Sequence, residues 1–171
     1  MSSAKLPFAR LSAVVALAMI GACMPFGEAR DGIYRDVSVP IGATTRFDTA
    51  QFAGEWFIVA RFGETPEGRV VFTQSPARNA LSLASDVIPE RAGTYEITRA
   101  GVLESPRAPG DTLIVMWVDE GFRTAAIGTG EGDFGVILNR QGAAPADRLE
   151  AAVEVLDFYG WDTSQLKGAQ P

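Results

Sequence analysis

Between residues 54 and 140 apolar and polar positions largely alternate, and two runs break the pattern by being apolar on both sides. The first is Trp56-Phe57-Ile58-Val59-Ala60-Arg61-Phe62, entered through Phe52-Ala53-Gly54-Glu55; the second is Leu113-Ile114-Val115-Met116-Trp117-Val118. A strand with two apolar faces needs cover on both, so one face lines an interior and the other lies beneath another element. Glycine at position 54 permits the unusual backbone of a chain swinging into a strand, and Trp56 is large enough to plug a barrel floor. Between the two runs, Arg69 to Thr73, Asn79 to Asp86 and Thr94 to Thr98, continuing through Gly101 toward Leu103, read as strands; beyond them Phe122 to Gly128 and Phe134 to Arg140 complete the set. Gly63 to Gly68, Ser75-Pro76, Glu120-Gly121 and Gly130 to Gly132 carry turn chemistry. Close, regular spacing with short turns predicts an all-β, up-and-down antiparallel meander, which removes its exposed edges by closing into a barrel of about eight strands.

Helical patterns flank the strands. Phe47-Asp48-Thr49-Ala50-Gln51-Phe52 reads as one turn capped by Asp48. Near the C-terminus, Pro145 suits a helix start, Asp147 the positive end of the helix, and Gly160 its stop. Leu149, Ala152, Val153 and Leu156 form one stripe, with Glu150, Glu154 and Asp157 opposite. That stripe is expected to pack on the outer face of the first strand, at Phe57 and Val59; docking on a partner protein is the alternative.

The N-terminus follows a different logic. Lys5 and Arg10 precede an uncharged, small-residue run from Leu11 to Ala22 that ends at Cys23, the layout of an export signal and short for a membrane span. The alternative is an ordinary cleaved signal leaving a free thiol. As the sole cysteine, Cys23 has no intramolecular disulfide partner. The chain has 15 Lys+Arg against 21 Asp+Glu; loss of residues 1–22 removes two basic side chains and no acidic one, leaving 13 against 21. So acidic a chain suits neither nucleic acid nor a bare anionic membrane. The organisation expected is a signal over 1–22, a tether over 23–45, one barrel domain with its helix over 46–167, and a tail over 168–171.

Catalytic chemistry finds little footing. With no histidine, Ser-His-Asp, Cys-His and zinc-histidine sites are excluded. Asp119-Glu120 and Glu131-Asp133 lie in turns and read as solvated loop tips. Gly128-Thr129-Gly130-Glu131-Gly132 lacks a following helix and reads as a hairpin, not a phosphate cradle. No metal site, cofactor or enzymatic activity is expected.

The sequence resembles the lipocalins. Gly54-Glu55-Trp56 and its continuation match that family's first motif; Val118-Asp119-Glu120-Gly121-Phe122-Arg123-Thr124-Ala125 is similar to the second, departing at Glu120-Gly121-Phe122; Gly135-Val136-Ile137-Leu138-Asn139-Arg140 matches the third. Gly160-Trp161-Asp162-Thr163-Ser164-Gln165-Leu166 fits the family's tail, so the likeness spans about residues 47 to 167. Ile20-Gly21-Ala22-Cys23 resembles a bacterial lipobox, which implies acylation at Cys23, and Met24 in place of aspartate leans toward the outer membrane facing the periplasm. The resemblance implies four strands between Phe62 and Leu113, where the chain is short, so one is expected to be missing, fused or reduced to a loop. It also sets Arg140 beside Trp56, where a guanidinium can lie on the indole and bond the carbonyls of the entering turn.

A closed barrel of this size holds one small apolar ligand. Period-two alternation from Trp56 puts Ile58, Ala60 and Phe62 inside. On the second apolar run either Leu113, Val115 and Trp117 or the opposite register faces in; the first is preferred because an amphipathic indole suits a cavity wall. Leu83, Phe134, Val136 and Leu138 join the inner set, and Ala60, Ala84 and Ala126 are expected to leave room. The expectation is a monomeric, membrane-anchored carrier of a small hydrophobic ligand, with fatty acid or lysophospholipid implied by the resemblance. A filled barrel serving as a protein-interaction or envelope-maintenance module is the alternative.

Overall fold

The computed structural model describes residues 32–75 and 79–168. The signal segment and Cys23 lie outside the described residues. Eight strands, β1 (Gly54–Arg61), β2 (Gly68–Ser75), β3 (Ala80–Ser85), β4 (Gly93–Arg99), β5 (Val102–Glu104), β6 (Thr112–Val118), β7 (Thr124–Thr129) and β8 (Gly135–Asn139), pair in chain order and close into a barrel. The closing seam is antiparallel, with Phe57 opposite Asn139 and Ile58 opposite Leu138. No strand is missing between Phe62 and Leu113. The shortening falls on β5, cut to three residues, yet it still pairs on both sides through Glu96, Ile97, Leu113 and Ile114.

Among the described residues two α-helices finish the fold. The turn α1 (Thr49–Phe52) is capped by Asp48, whose carboxylate accepts the Gln51 N–H at 2.8 Å. The longer α2 (Ala146–Phe158) starts after Pro145, carries Asp147 in its first turn, and ends at Gly160 with φ +84°. An up-and-down barrel has two ends. Here the β2–β3, β4–β5 and β6–β7 connections share the floor with α1, and the β1–β2, β3–β4, β5–β6 and β7–β8 connections surround the mouth.

Apolar side chains divide into two cores with the barrel wall between them. The inner core takes residues from all eight strands, whereas the outer one joins Ala60, Phe62, Ile114, Met116, Ala126 and Ile137 to Leu149, Ala152 and Leu156 of α2 and to Trp161. Every residue of β7 and β8 is buried, because both of their faces are covered.

The helix does not pack on Phe57 and Val59 as the sequence suggested; it lies across β7 and β6. The cause is Trp161, just beyond α2, whose indole edge occupies space left by two glycines. A Cβ on Gly128 would stand 2.4 Å from the indole Cζ2, and one on Gly135 2.5 Å from Cζ3. Phe62 stacks on the same indole with ring centroids 4.9 Å apart, and Tyr34 stacks on Phe62 at 5.6 Å. The end of β1 is covered instead by the tail. Arg61 and Lys167 exchange backbone hydrogen bonds of 2.9 and 2.8 Å.

The region expected as a tether contributes to this layer. Tyr34 N–H donates to Gly132 C=O and Thr44 N–H to Val115 C=O, both at 2.8 Å, so residues 34–44 run along the barrel as an arm. Arg35 anchors it. This nearly buried guanidinium donates to the carbonyls of Gly130, Tyr159 and Val39, tying the arm to the β7–β8 turn and to the negative end of α2. Burial lowers the Arg35 pKa, a shift opposed by Asp36 and Glu131.

Candidate functional site

The floor is built where α1 delivers the chain into β1. Gly54 has φ +111°, and a Cβ there would meet the Arg140 guanidinium at 2.9 Å. Arg140 follows β8 and lies over the Trp56 ring, its Cζ 3.8 Å from the centroid. Its N–H groups donate to the carbonyls of Gln51 (2.6 Å), Phe52 (3.2 Å), Ala53 (3.0 Å), Glu55 (2.9 Å) and Phe122 (3.1 Å). Burial lowers the Arg140 pKa. The cation is held by carbonyl dipoles and an indole face. Trp56 is fully buried, donates its own N–H to Phe52 C=O at 2.9 Å, and packs on Phe52, which in turn packs on Phe72.

The inner wall contains Ile58, Leu83, Leu113, Val115, Phe134, Val136 and Leu138, all expected there. Ala60, Phe62 and Trp117 stand on the opposite face, in the outer core, and this corrects the sequence reading. The reason is the same in both strands. Pairing of β1 with β8 shifts register between Ile58 and Ala60, and pairing of β6 with β7 shifts between Val115 and Trp117. Each shift inserts one residue, so the alternation restarts with opposite sense. Thus Val59 and Ala60 both face outward, as do Met116 and Trp117, and Val118 returns to the interior. Two of the small residues expected to leave room, Ala60 and Ala126, also lie in the outer core, and Ala84 is exposed.

The mouth is crossed by the β3–β4 connection. Ile88 is buried in the inner core and Val87 packs against it, so this loop turns its apolar side down into the barrel. A 3₁₀ turn, Pro89–Arg91, then places Arg91 between two other connections. Its guanidinium meets Asp111 of the β5–β6 loop at 2.5 Å and Asp133 of the β7–β8 turn at 3.0 Å, and sits 4.9 Å from the centroid of Phe134. Tyr95 donates to Arg91 C=O at 2.9 Å and lies 3.4 Å from Asp111. Burial first, then the Asp111 charge, push the Tyr95 phenol up to about 12. Burial acts to raise the Asp133 pKa, but the Thr129 hydroxyl at 2.5 Å and the Arg91 cation outweigh it, and the carboxyl stays below its ordinary value.

Of the carboxylates read as loop tips, Glu120 and Glu131 are exposed as expected, whereas Asp119 and Asp133 have structural partners. Asp119 is buried and accepts the backbone N–H groups of Gly121, Arg123 and Thr124, organising the β6–β7 turn in which Phe122 takes φ +52°. Burial opposes its ionisation; the N–H donors and Arg123 prevail and lower its pKa. Two hollows open outside the barrel. One of about 290 Å³ lies between this turn and the start of α2, lined by Asp119, Glu120, Arg123, Asp147 and Arg148; a groove of about 550 Å³ follows α2 past Leu149, Val153 and Glu154.

No protein-family model matches the sequence, and no curated protein matches it. Solved structures do. The chain superposes on the solution structure of lipocalin 12 from rat epididymis with a TM-score of 0.55 at 13% identity, covering 75% of this chain and 89% of that one. It superposes on the cockroach major allergen Per a 4 with a TM-score of 0.55 at 14% identity, covering 77% and 93%. The siderocalin Ex-FABP gives a TM-score of 0.52 at 14% identity, covering 68% and 91%. The chain has the lipocalin fold.

Within this lipocalin barrel, alternation alone could have found more of the inner wall. Val70 and Phe72 on β2, Leu81 on β3, and Tyr95 and Ile97 on β4 all face inward beside the residues singled out from sequence. Arg35 and Arg91 had no comparable signal. Each is one arginine in an unremarkable loop until the fold brings its partners to it.

Proposed function

We propose that this protein binds and carries a small hydrophobic molecule in the lumen of its lipocalin barrel, without bond chemistry. The observation that carries the reading is the barrel interior: a continuous cluster of apolar side chains contributed by all eight strands and stoppered at one end by Trp56 and Arg140. Apolar surface transferred from water to such a wall contributes about 25 cal/mol per Å². The siderocalin among the structural neighbours is described as having dual ligand specificities, which accords with a binding role for this fold. The resemblance of Ile20-Gly21-Ala22-Cys23 to a lipobox supports an acyl anchor at Cys23, a bacterial envelope location and envelope lipids such as fatty acids or lysophospholipids as cargo. The arm supplies a geometric argument. It joins the barrel through Tyr34 at Gly132, on the mouth, and the eleven steps from Cys23 to Tyr34 reach at most about 40 Å, so an acylated Cys23 would keep the mouth within that distance of the bilayer.

A second reading has its own observation. Aromatic side chains crowd the inner core and Ile88 and Arg91 cover the mouth; a filled barrel that works through its surface would look the same. Native mass spectrometry of the purified protein, followed by titration with a polarity-sensitive dye and fatty acid, separates the two. A co-purifying lipid or saturable uptake supports the carrier, whereas an empty barrel that takes up neither sinks it. Incorporation of labelled palmitate, compared between wild type and Cys23→Ala, tests the anchor.

A further inference from the structure

The buried polar side chains on the inner wall, Tyr95 and Thr129, sit at the mouth and point to Asp111 and Asp133; the wall below is apolar. A single-chain amphiphile in the lumen must therefore leave its head among the mouth loops, since burying a polar head unpaired is costly. Those four connections carry seven carboxylates, Glu64, Glu67, Asp86, Glu90, Asp111, Glu131 and Asp133, against two cations, Arg91 and Arg107. Glu64 and Glu67 are matched from outside by Lys167 and Arg61, at 2.6 and 2.8 Å. Asp86, Glu90 and Glu131 have no ion-pair partner among the described residues, although the Arg35 charge acts on Glu131. Among the described residues, Arg91 is the cation held at the rim of the apolar wall by ion pairs. Its two terminal nitrogens are each engaged by a carboxylate, Asp111 and Asp133, so that spot carries two negative charges for one positive.

We propose that the barrel selects single-chain amphiphiles whose head bears no net negative charge, and that Asp111 and Asp133, by engaging Arg91, turn carboxylate heads away. The inference rests on the carrier reading and narrows its ligand class, keeping lysophospholipids with a zwitterionic head and setting aside the fatty acids named with them. A fatty-acid anion placed beside this knot meets two carboxylates for one guanidinium, whereas an ammonium or uncharged head meets attraction or neutrality.

The test is displacement of a neutral polarity-sensitive dye at pH 7 by dodecylamine, dodecanol and dodecanoate, which share one chain and differ in head charge. Dodecylamine and dodecanol are expected to bind about tenfold more tightly than dodecanoate at low ionic strength, with the gap shrinking in about 0.5 M NaCl. Asp133→Asn should narrow the gap, and Asp111→Asn combined with Asp133→Asn should reverse it by releasing Arg91; circular dichroism checks that both variants fold. If a variant does not fold, the wild-type ranking still decides. Dodecanoate binding as tightly as dodecylamine overturns the charge selection and leaves the carrier standing. Unchanged ranking in the folded double variant overturns the role of Arg91. Displacement by none of the three removes the carrier reading and this inference with it.

Discussion

Arg140→Ala should open the floor. The guanidinium serves five carbonyls and one indole face, and these losses are unequal. The carbonyls of Gln51 and Glu55 are bonded at the exposed edge, where water replaces the lost donor at little cost. Those of Phe52, Ala53 and Phe122 are part-buried and poorly reached by water, and each stands to lose about 0.5 to 1 kcal/mol. Removing the cation from Trp56 adds about 1 kcal/mol. The total is about 3 kcal/mol, or roughly a 10 °C fall in Tm for a domain of this size. Urea denaturation followed by tryptophan emission measures it, with an unchanged m-value showing that the unfolded ensemble is the same. Arg140→Lys keeps the charge but cannot span the five carbonyls in one plane, so it should recover less than half of the loss. A loss below about 1 kcal/mol for Arg140→Ala, or full recovery by lysine, would refute the claim that a planar fork seals this end.

Three further outcomes follow from the geometry. Gly135→Ala drives a Cβ to within 2.5 Å of Trp161 and 2.9 Å of Phe62, and should cost about 2 kcal/mol with a red shift in emission as the indole is displaced; an unshifted spectrum at full stability contradicts the close approach. Because the folded-state pKa of Asp119 is lowered, its stabilisation is complete above the unfolded value of about 3.9 and is lost as pH falls through the folded one, so wild type and Asp119→Asn should differ at pH 7 and converge in acid. In the lumen, Val115→Trp should abolish dye uptake while Trp117→Phe leaves it within about twofold, because the two residues face opposite sides of the wall; equal effects would contradict the β6 bulge.

The floor was legible because all of it is local or terminal. Gly54, Trp56 and the capped turn before them lie within a few residues of one another, and Arg140 ends the last strand of a barrel whose closure brings last and first together. The faces of Ala60, Phe62 and Trp117 were not legible, since alternation is a projection from a starting residue and one inserted residue inverts everything after it. Nothing in Ile58-Val59-Ala60 or Val115-Met116-Trp117 announces the insertion, as every one of these residues is apolar. What fixes each bulge is tertiary. Thr44 of the arm takes the Val115 carbonyl where β6 shifts, and beyond the β1 shift Arg61 pairs with Lys167 of the tail. The docking of α2 was missed for the same reason, because the space at Gly128 and Gly135 has meaning only once Trp161 arrives to fill it.

Both bulges turn apolar residues away from the lumen and toward the outer core, and this bears on how a small barrel can hold cargo. A domain whose only core were its lumen would lose packing whenever that lumen were emptied or reshaped for a ligand. Here the Tyr34, Phe62 and Trp161 stack, the stripe of α2 and the buried Arg35 form a second core on the far side of β6, β7 and β8. Those strands stay clamped whatever the lumen contains. The strands without that cover, β2 to β5, carry exposed outer residues, and β5 is only three residues long. Local opening should therefore begin there, beside the β3–β4 loop that crosses the mouth. The rigid half holds the floor and the inner wall in place, while the thin half, secured at its rim by Arg91, is where a ligand would enter.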